Sequence, residues 1–289
     1  MVSRLVLLVC VALALPATAG GKPRWETLPL PPAMPTPIAT GEELVGDASI
    51  YYAVFGAGDP VILLHGGMGN GDHFSHQVSA LIDRFSVIAI DSRGQGRSTL
   101  GTAKLSYGLM ARDVLAVMNK LGIARAAIVG WSDGGEIGLH LAIHHPDRVA
   151  RLFVFGANYD AAGSKPRRRR PPTFVAYGAK CKSDYVRLSK TPKGFSKMVT
   201  ALRPVWRTPG GFTKDQLRAI AAPTMVADGD HDEIIVLDQV KEMAALIPGG
   251  QLAIFEGTSH FALWQDPAAF NRVLRAFLTG QPGPSAPDR

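Results

Sequence analysis

The chain has 289 residues, 46% of them hydrophobic, which suits one globular domain with a sizeable core and excludes a disordered chain. Its formal net charge is +7 and it holds only two cysteines, so a disulfide-stapled scaffold is excluded as well.

The N-terminus reads as a targeting segment. Arg4 gives a positive start, residues 5–15 are an apolar run too short to span a bilayer, and Ala17-Thr18-Ala19 offers a small-residue cleavage site. Residues 1–19 are therefore expected to be a signal peptide cleaved after Ala19, with the protein secreted or periplasmic. Cys10 is not preceded by a small residue and makes a poor lipid-attachment site. Only Cys181 would remain after cleavage, and one cysteine cannot form an internal disulfide. Residues 20–40 are rich in proline and read as an extended arm or tether. Residues 281–289 read as a polar tail.

Between these ends, residues 41–280 alternate strand and helix. Apolar runs predict strands at 49–55, 61–64, 87–90, 126–129, 152–155, 224–227 and 251–255. Helical spacing predicts helices at 76–83, 107–121, 135–145, 238–246 and 268–278. Short apolar strands separated by helices predict an α/β fold, a mostly parallel sheet covered on both faces. The alternation breaks at about 157–221, which is read as an inserted cap. This stretch holds fifteen Lys and Arg against three Asp, a formal +12 in a chain of +7, so the remainder is acidic. Such a charge belongs to a solvated face or to a surface that attracts anionic substrates or an anionic envelope. Arg167 to Arg170, flanked by prolines, is expected to be an exposed loop. An export signal argues against nucleic acid as a partner.

The most specific motif is Gly130-Trp131-Ser132-Asp133-Gly134-Gly135. It follows an apolar strand and precedes a helix. A serine on so tight a turn has its hydroxyl thrust clear of the sheet, and glycines are needed where a Cβ would clash. A serine nucleophile needs a base and a group that orients the base. After the 224–227 strand comes Asp228-Gly229-Asp230-His231-Asp232, and after the 251–255 strand comes Glu256-Gly257-Thr258-Ser259-His260. The chain order assigns Ser132 as nucleophile, His260 as base and Asp232 as the orienting acid. Asp230 and Asp228 in the same loop are the alternatives. Their position nearer the strand end predicts that they point elsewhere. An oxyanion needs donors. Those expected are the backbone N–H of Asp133 and that of Gly67, in the loop His65-Gly66-Gly67-Met68-Gly69, with Met68 as the alternative to Gly67. His140 and His144 lie one turn apart, but no H-E-x-x-H pattern is present and no metal or cofactor is expected.

These motifs resemble the α/β-hydrolase fold family over nearly the whole mature chain. His65-Gly66-Gly67 looks like its oxyanion loop, Asp91 to Ser98 like its D-x-R-G-x-G-x-S loop, and Gly130 to Gly135 like its nucleophile elbow. The elbow, with Phe155-Gly156-Ala157-Asn158, looks most like that of valacyclovir hydrolase (biphenyl hydrolase-like) enzymes. The resemblance implies a Ser-His-Asp hydrolase, with a small-molecule ester as substrate. Aminopeptidase-like or C–C bond hydrolysis, or a catalytically silent binding protein on the same scaffold, are the alternatives. Dehalogenases and epoxide hydrolases of this fold carry aspartate where Ser132 stands. In the valacyclovir-hydrolase-like enzymes the residue matching Asp133 holds the substrate's amino group, which implies a substrate-binding role for its side chain. The competing reading is an acid placed favourably at a helix start.

Overall fold

Alternation along the inner strands builds two cores from one sheet. In β4 (Asp59–Leu64), Ile62 and Leu64 face one core while Val61 and Leu63 face the other. The computed structural model describes residues 8–11, 21–166, 171–207 and 211–281. Arg167 to Arg170, most of the leader and most of the C-terminal tail lie outside them.

Nine strands pair among the described residues. They are β1 (Leu8–Val11), β2 (Ala39–Val45), β3 (Ala48–Phe55), β4, β5 (Phe85–Ile90), β6 (Ala126–Trp131), β7 (Val149–Phe155), β8 (Thr224–Gly229) and β9 (Gln251–Phe255). Their spatial order is β1-β9-β8-β7-β6-β4-β5-β3-β2. The strands from β1 through β5 in this order are parallel, and only β3 runs against them, pairing antiparallel with both β5 and β2. β6 and β8 are buried at every residue, as parallel strands covered on both faces must be. β1 comes from the segment expected to be a leader and adds in parallel to the edge at β9.

On one face lie α2 (Tyr107–Lys120), α3 (Asp133–His144) and α7 (Leu237–Leu246). They contribute Val114, Val117, Ile137, Leu141, Val240 and Met243 to one core. On the other lie α1 (Ser75–Leu81) and α8 (Pro267–Leu278), with Val78, Leu81, Phe270, Val273 and Phe277 in the second core. This is the expected α/β-hydrolase architecture. Each of these five helices falls within two residues of its predicted bounds at either end.

Two regions differ from the sequence reading. β2 was not anticipated, and it takes the last two residues of the stretch read as arm. Between β7 and β8 the described residues form three α-helices, α4 (Pro172–Leu188), α5 (Phe195–Arg207) and α6 (Lys214–Arg218). α4 and α5 are real amphipathic helices that bury Tyr177, Cys181 and Tyr185, and Met198, Leu202 and Val205. The sheet thus places the loops after β4, β6, β8 and β9 at one end, beneath these helices. Strand order reverses where β4 lies between β6 and β5, the place where open α/β sheets form their crevice.

Candidate active site

The turn from β6 into α3 forces Ser132 into φ 54° and ψ −120°, one of two non-glycine residues with positive φ among the described residues. L-residues adopt that region at a cost of roughly 1–3 kcal/mol, so the surroundings must hold it there. They do so with backbone bonds: Ser132 N–H donates to the Phe155 carbonyl at 2.8 Å, and the Ser132 carbonyl accepts from Gly135 and Glu136. The glycines are dictated by space. A Cβ on Gly134 would stand 1.9 Å from the Leu64 carbonyl oxygen. Ser132 opens into a pocket of about 340 Å³ that Gly67, Asp133, Trp206 and His260 also line.

Gly67 sits opposite α3, where a Cβ would meet Asp133 Oδ2 at 2.6 Å. Its loop is braced from below. His65 Nδ1 donates to the Gly66 carbonyl at 2.8 Å, and Nε2 accepts the Ser92 N–H at 2.9 Å, which fixes the tautomer. Burial pushes the His65 imidazole down to about 3, so it is neutral in this role. Asp91 accepts from the Gly71 and Arg97 N–H groups and joins the second loop to the first.

The acid and the base meet behind the pocket. His260 Nδ1 and Asp232 Oδ2 are 2.6 Å apart, with both side chains buried. The other Asp232 oxygen accepts the N–H groups of Ile234 at 2.5 Å and Ile235 at 2.7 Å. Burial pushes the Asp232 carboxyl up, but His260 and these donors overcome it and hold it below its ordinary value. Of the three aspartates in this loop, Asp232 contacts His260. Asp230 turns away to the Thr258 N–H. Asp228 faces the carboxylate of Asp232 and not the imidazole.

Several of the polar points that attach the helices over the pocket lie on or beside a candidate residue. Trp206 Nε1 donates to the Asp133 carboxylate at 2.9 and 3.1 Å, and Tyr107 Oη donates to it at 3.1 Å. Tyr177 Oη donates to the Gly67 carbonyl at 3.0 Å. Glu233 accepts from Thr173 on α4 and from the His260 N–H. Lys165 Nζ donates to the Asp232 carbonyl at 2.5 Å. Asp184 on α4 binds His73, beyond the oxyanion loop, at 3.0 Å and also Lys180. Burial raises its carboxyl, but those donors prevail and leave it well below the usual range. Cys181 is buried, and burial pushes its thiol up and away from thiolate character.

The proline-rich arm packs against the same loops. Arg24 donates to the carbonyls of Glu256 and Gly257 and pairs with Asp266 at 2.7 Å. Trp25 lies against His231, beside Asp232, with ring centroids 3.8 Å apart and planes tilted by 45°. Gln265 Nε2 donates to the Thr27 carbonyl and to Ser259 Oγ.

The model of the α/β hydrolase fold matches residues 59–184. A protein of Azorhizobium caulinodans assigned as carbamate hydrolase RutD is 30% identical over 257 residues, covering 80% of this chain and 96% of its own. The chain belongs to the α/β-hydrolase fold family. A 2-hydroxy-6-oxononadienedioate/2-hydroxy-6-oxononatrienedioate hydrolase of a Pseudomonas species is 25% identical, over 80% of this hydrolase and 92% of that one. The fold is also that of the meta-cleavage product hydrolase of Pseudomonas fluorescens IP01, with a TM-score of 0.72 at 22% identity, covering 83% of this chain and 97% of the other.

Sequence reasoning named Ser132, Asp232, His260, Gly67 and Asp133, and the fold gathers all five at one end of the sheet. It passed over the residues that hold them. His65 was visible only as part of a motif, and Tyr177 and Trp206 belong to no motif at all. Their partners lie 110 and 73 residues away in the chain, and no local pattern encodes such a contact.

Proposed function

We propose that this hydrolase cleaves carboxylic esters through an acyl-enzyme. In this reading Ser132 attacks the ester carbonyl. His260 takes the hydroxyl proton and then gives it to the departing alcohol, and Asp232 holds the imidazole with its free nitrogen toward the serine. The N–H groups of Gly67 and Asp133 receive the oxyanion. Water then repeats the sequence and releases the acid. The observation that carries the reading is the buried 2.6 Å contact between His260 and Asp232 behind a pocket that the strained Ser132 also lines. An ester needs no more than this set, whereas an amide demands stronger protonation of its leaving group.

The side chain of Asp133 is read first as the clamp between the elbow and α5, because Trp206 and Tyr107 already donate to it. It remains close enough to the pocket to receive a substrate ammonium as well. The proposal includes cleavage of residues 1–19 as a signal peptide and action outside the cytoplasm. Arg203 and Arg207, both at the pocket wall, support preference for substrates bearing a negative charge at the far end.

The second reading is hydrolysis of an activated C–C bond, which the Pseudomonas relatives favour. Short-chain nitrophenyl esters, aminoacyl anilides and a vinylogous 1,5-diketone separate the two. Turnover of the esters at least tenfold faster than the others supports the proposal. Turnover of the diketone alone overturns it.

A further inference from the structure

Asp228, at the end of β8, is fully buried, yet the mechanism above leaves it unused. Its Oδ1 accepts the Gly229 N–H at 2.8 Å. Its Oδ2 is buried and meets no N–H or hydroxyl donor among the described residues. What it does reach is the carboxylate of Asp232. Two ionised carboxylates are acceptors only, and their contact inside a protein is strongly repulsive. A proton between them turns the clash into a short, charge-assisted bond.

The arithmetic of acceptor sites says where that proton sits. Asp232 offers about four lone-pair positions. Ile234 and Ile235 take two on Oδ1, and His260 takes one on Oδ2. One remains for a donor from Asp228. Asp232 has these donors to stabilise its charge, and Asp228 has only one. We propose that Asp228 is a positioning residue that carries a proton at working pH and donates it from Oδ2 to Asp232, completing the set of donors that fixes the Asp232 carboxylate against His260.

The charged surroundings agree with this. Burial pushes the Asp228 carboxyl well above its ordinary value, and the negative charge of Asp232 pushes it further. Lys165 is a cation near it, and its ammonium is committed to the Asp232 carbonyl. Glu233 faces the His260 N–H and Thr173, and Asp230 faces Thr258. A neutral Asp228 donor also spreads the Asp232 charge, which makes the imidazole a weaker base than a bare carboxylate partner would.

The proposal rests on the triad reading for its kinetic consequence but not for its protonation state, so two measurements separate them. The first compares Asp228→Asn with Asp228→Ala by kcat, KM and the pH profile of ester hydrolysis. Asparagine keeps a donor in the same place and should retain most of kcat. Alanine should lower kcat roughly tenfold at unchanged KM. It should also move the acid limb of the profile upward by about half a unit or more, since the Asp232 charge is no longer shared.

The second measurement follows thermal stability against pH for Asp228→Asn and the parent, both in a Ser132→Ala background that needs no activity. Asp228 has a folded pKa above its unfolded value. Its favourable contribution is complete below the unfolded value and is lost as pH rises toward the folded one. The asparagine variant has no such proton to lose, so its Tm should gain on the parent steadily between about pH 4 and pH 8. Parallel Tm curves would show an ionised Asp228 and overturn the proposal even if alanine fails to fold. Equal kinetic losses in both variants would overturn the positioning role. Absence of ester hydrolysis in the parent, with diverging Tm curves, would sink the triad reading alone.

Discussion

The two walls of the pocket are built on different principles. The sheet-side wall consists of turns at strand ends, held by backbone bonds and by glycines that nothing else can replace. The wall from α4 and α5 is carried by amphipathic helices and touches the first through single side-chain bonds: Trp206 to Asp133, Tyr177 to Gly67, Thr173 to Glu233. A change on the sheet side removes chemistry, whereas a change on the helix side alters how well that chemistry is held. Substitutions should therefore fall into two groups, large effects on kcat alone and modest effects spread over kcat, KM and stability.

The largest effect is expected at the base. His260→Ala should lose about four to six orders of magnitude in kcat with KM little changed. Steady-state kinetics on a nitrophenyl ester would show it, and a tenfold loss or less would erase the contrast between the walls.

Next comes the bond that holds the oxyanion loop. Tyr177→Phe removes only the hydroxyl that grips the Gly67 carbonyl. A lost hydrogen bond of this kind is worth about 1 kcal/mol, so kcat should fall roughly five- to tenfold while the protein stays folded. Trp206→Phe takes the indole N–H from Asp133 and should move KM several-fold with less effect on kcat. Loss of kcat as deep as that of His260→Ala would move Trp206 to the first group.

Asp184 tests the attachment of α4 through stability. Its carboxyl is depressed in the folded state, so its contribution is present above the unfolded value and is lost as pH falls through the folded one. Asp184→Asn should cost about 2 kcal/mol near pH 7, since hydrogen bonds from His73 and Lys180 are weakened. The gap from the parent should shrink below about pH 4. Denaturant melts at pH 7 and pH 3 check this, and a gap independent of pH would leave the ion pair without a stabilising role. The smallest effect belongs to the arm. Trp25→Ala removes the ring contact with His231 and should lower Tm by only a few degrees.

The same division explains what could be read in the sequence. The elbow and its partner loops were legible because each is local: a short apolar strand, a turn with obligatory glycines, then the reactive side chain. The helices over the pocket were not. The buried face of α4 carries Thr173, Tyr177, Cys181, Asp184 and Tyr185, where polar groups blur the apolar period. α5 has a clear stripe at Met198, Leu202 and Val205, but Pro204 and the surrounding basic residues disguise it. β2 shows half-exposed alternation with Gly41, Glu42 and Glu43 inside it, and so presents no apolar face at all. Asp228 was legible as an acid in the right loop, but its neutral role depends on burial and on a neighbour's charge, which only the folded chain supplies.

The central claim is that Ser132 is a nucleophile made reactive by His260. A fluorophosphonate probe, which captures activated serines, tests it most directly when read by intact mass and peptide mapping of the folded protein. The account predicts one adduct per chain, located on Ser132, formed faster as pH rises from acid to neutral, and absent in Ser132→Ala. An adduct that forms equally in Ser132→Ala, or no adduct on the folded parent at neutral pH, would contradict it.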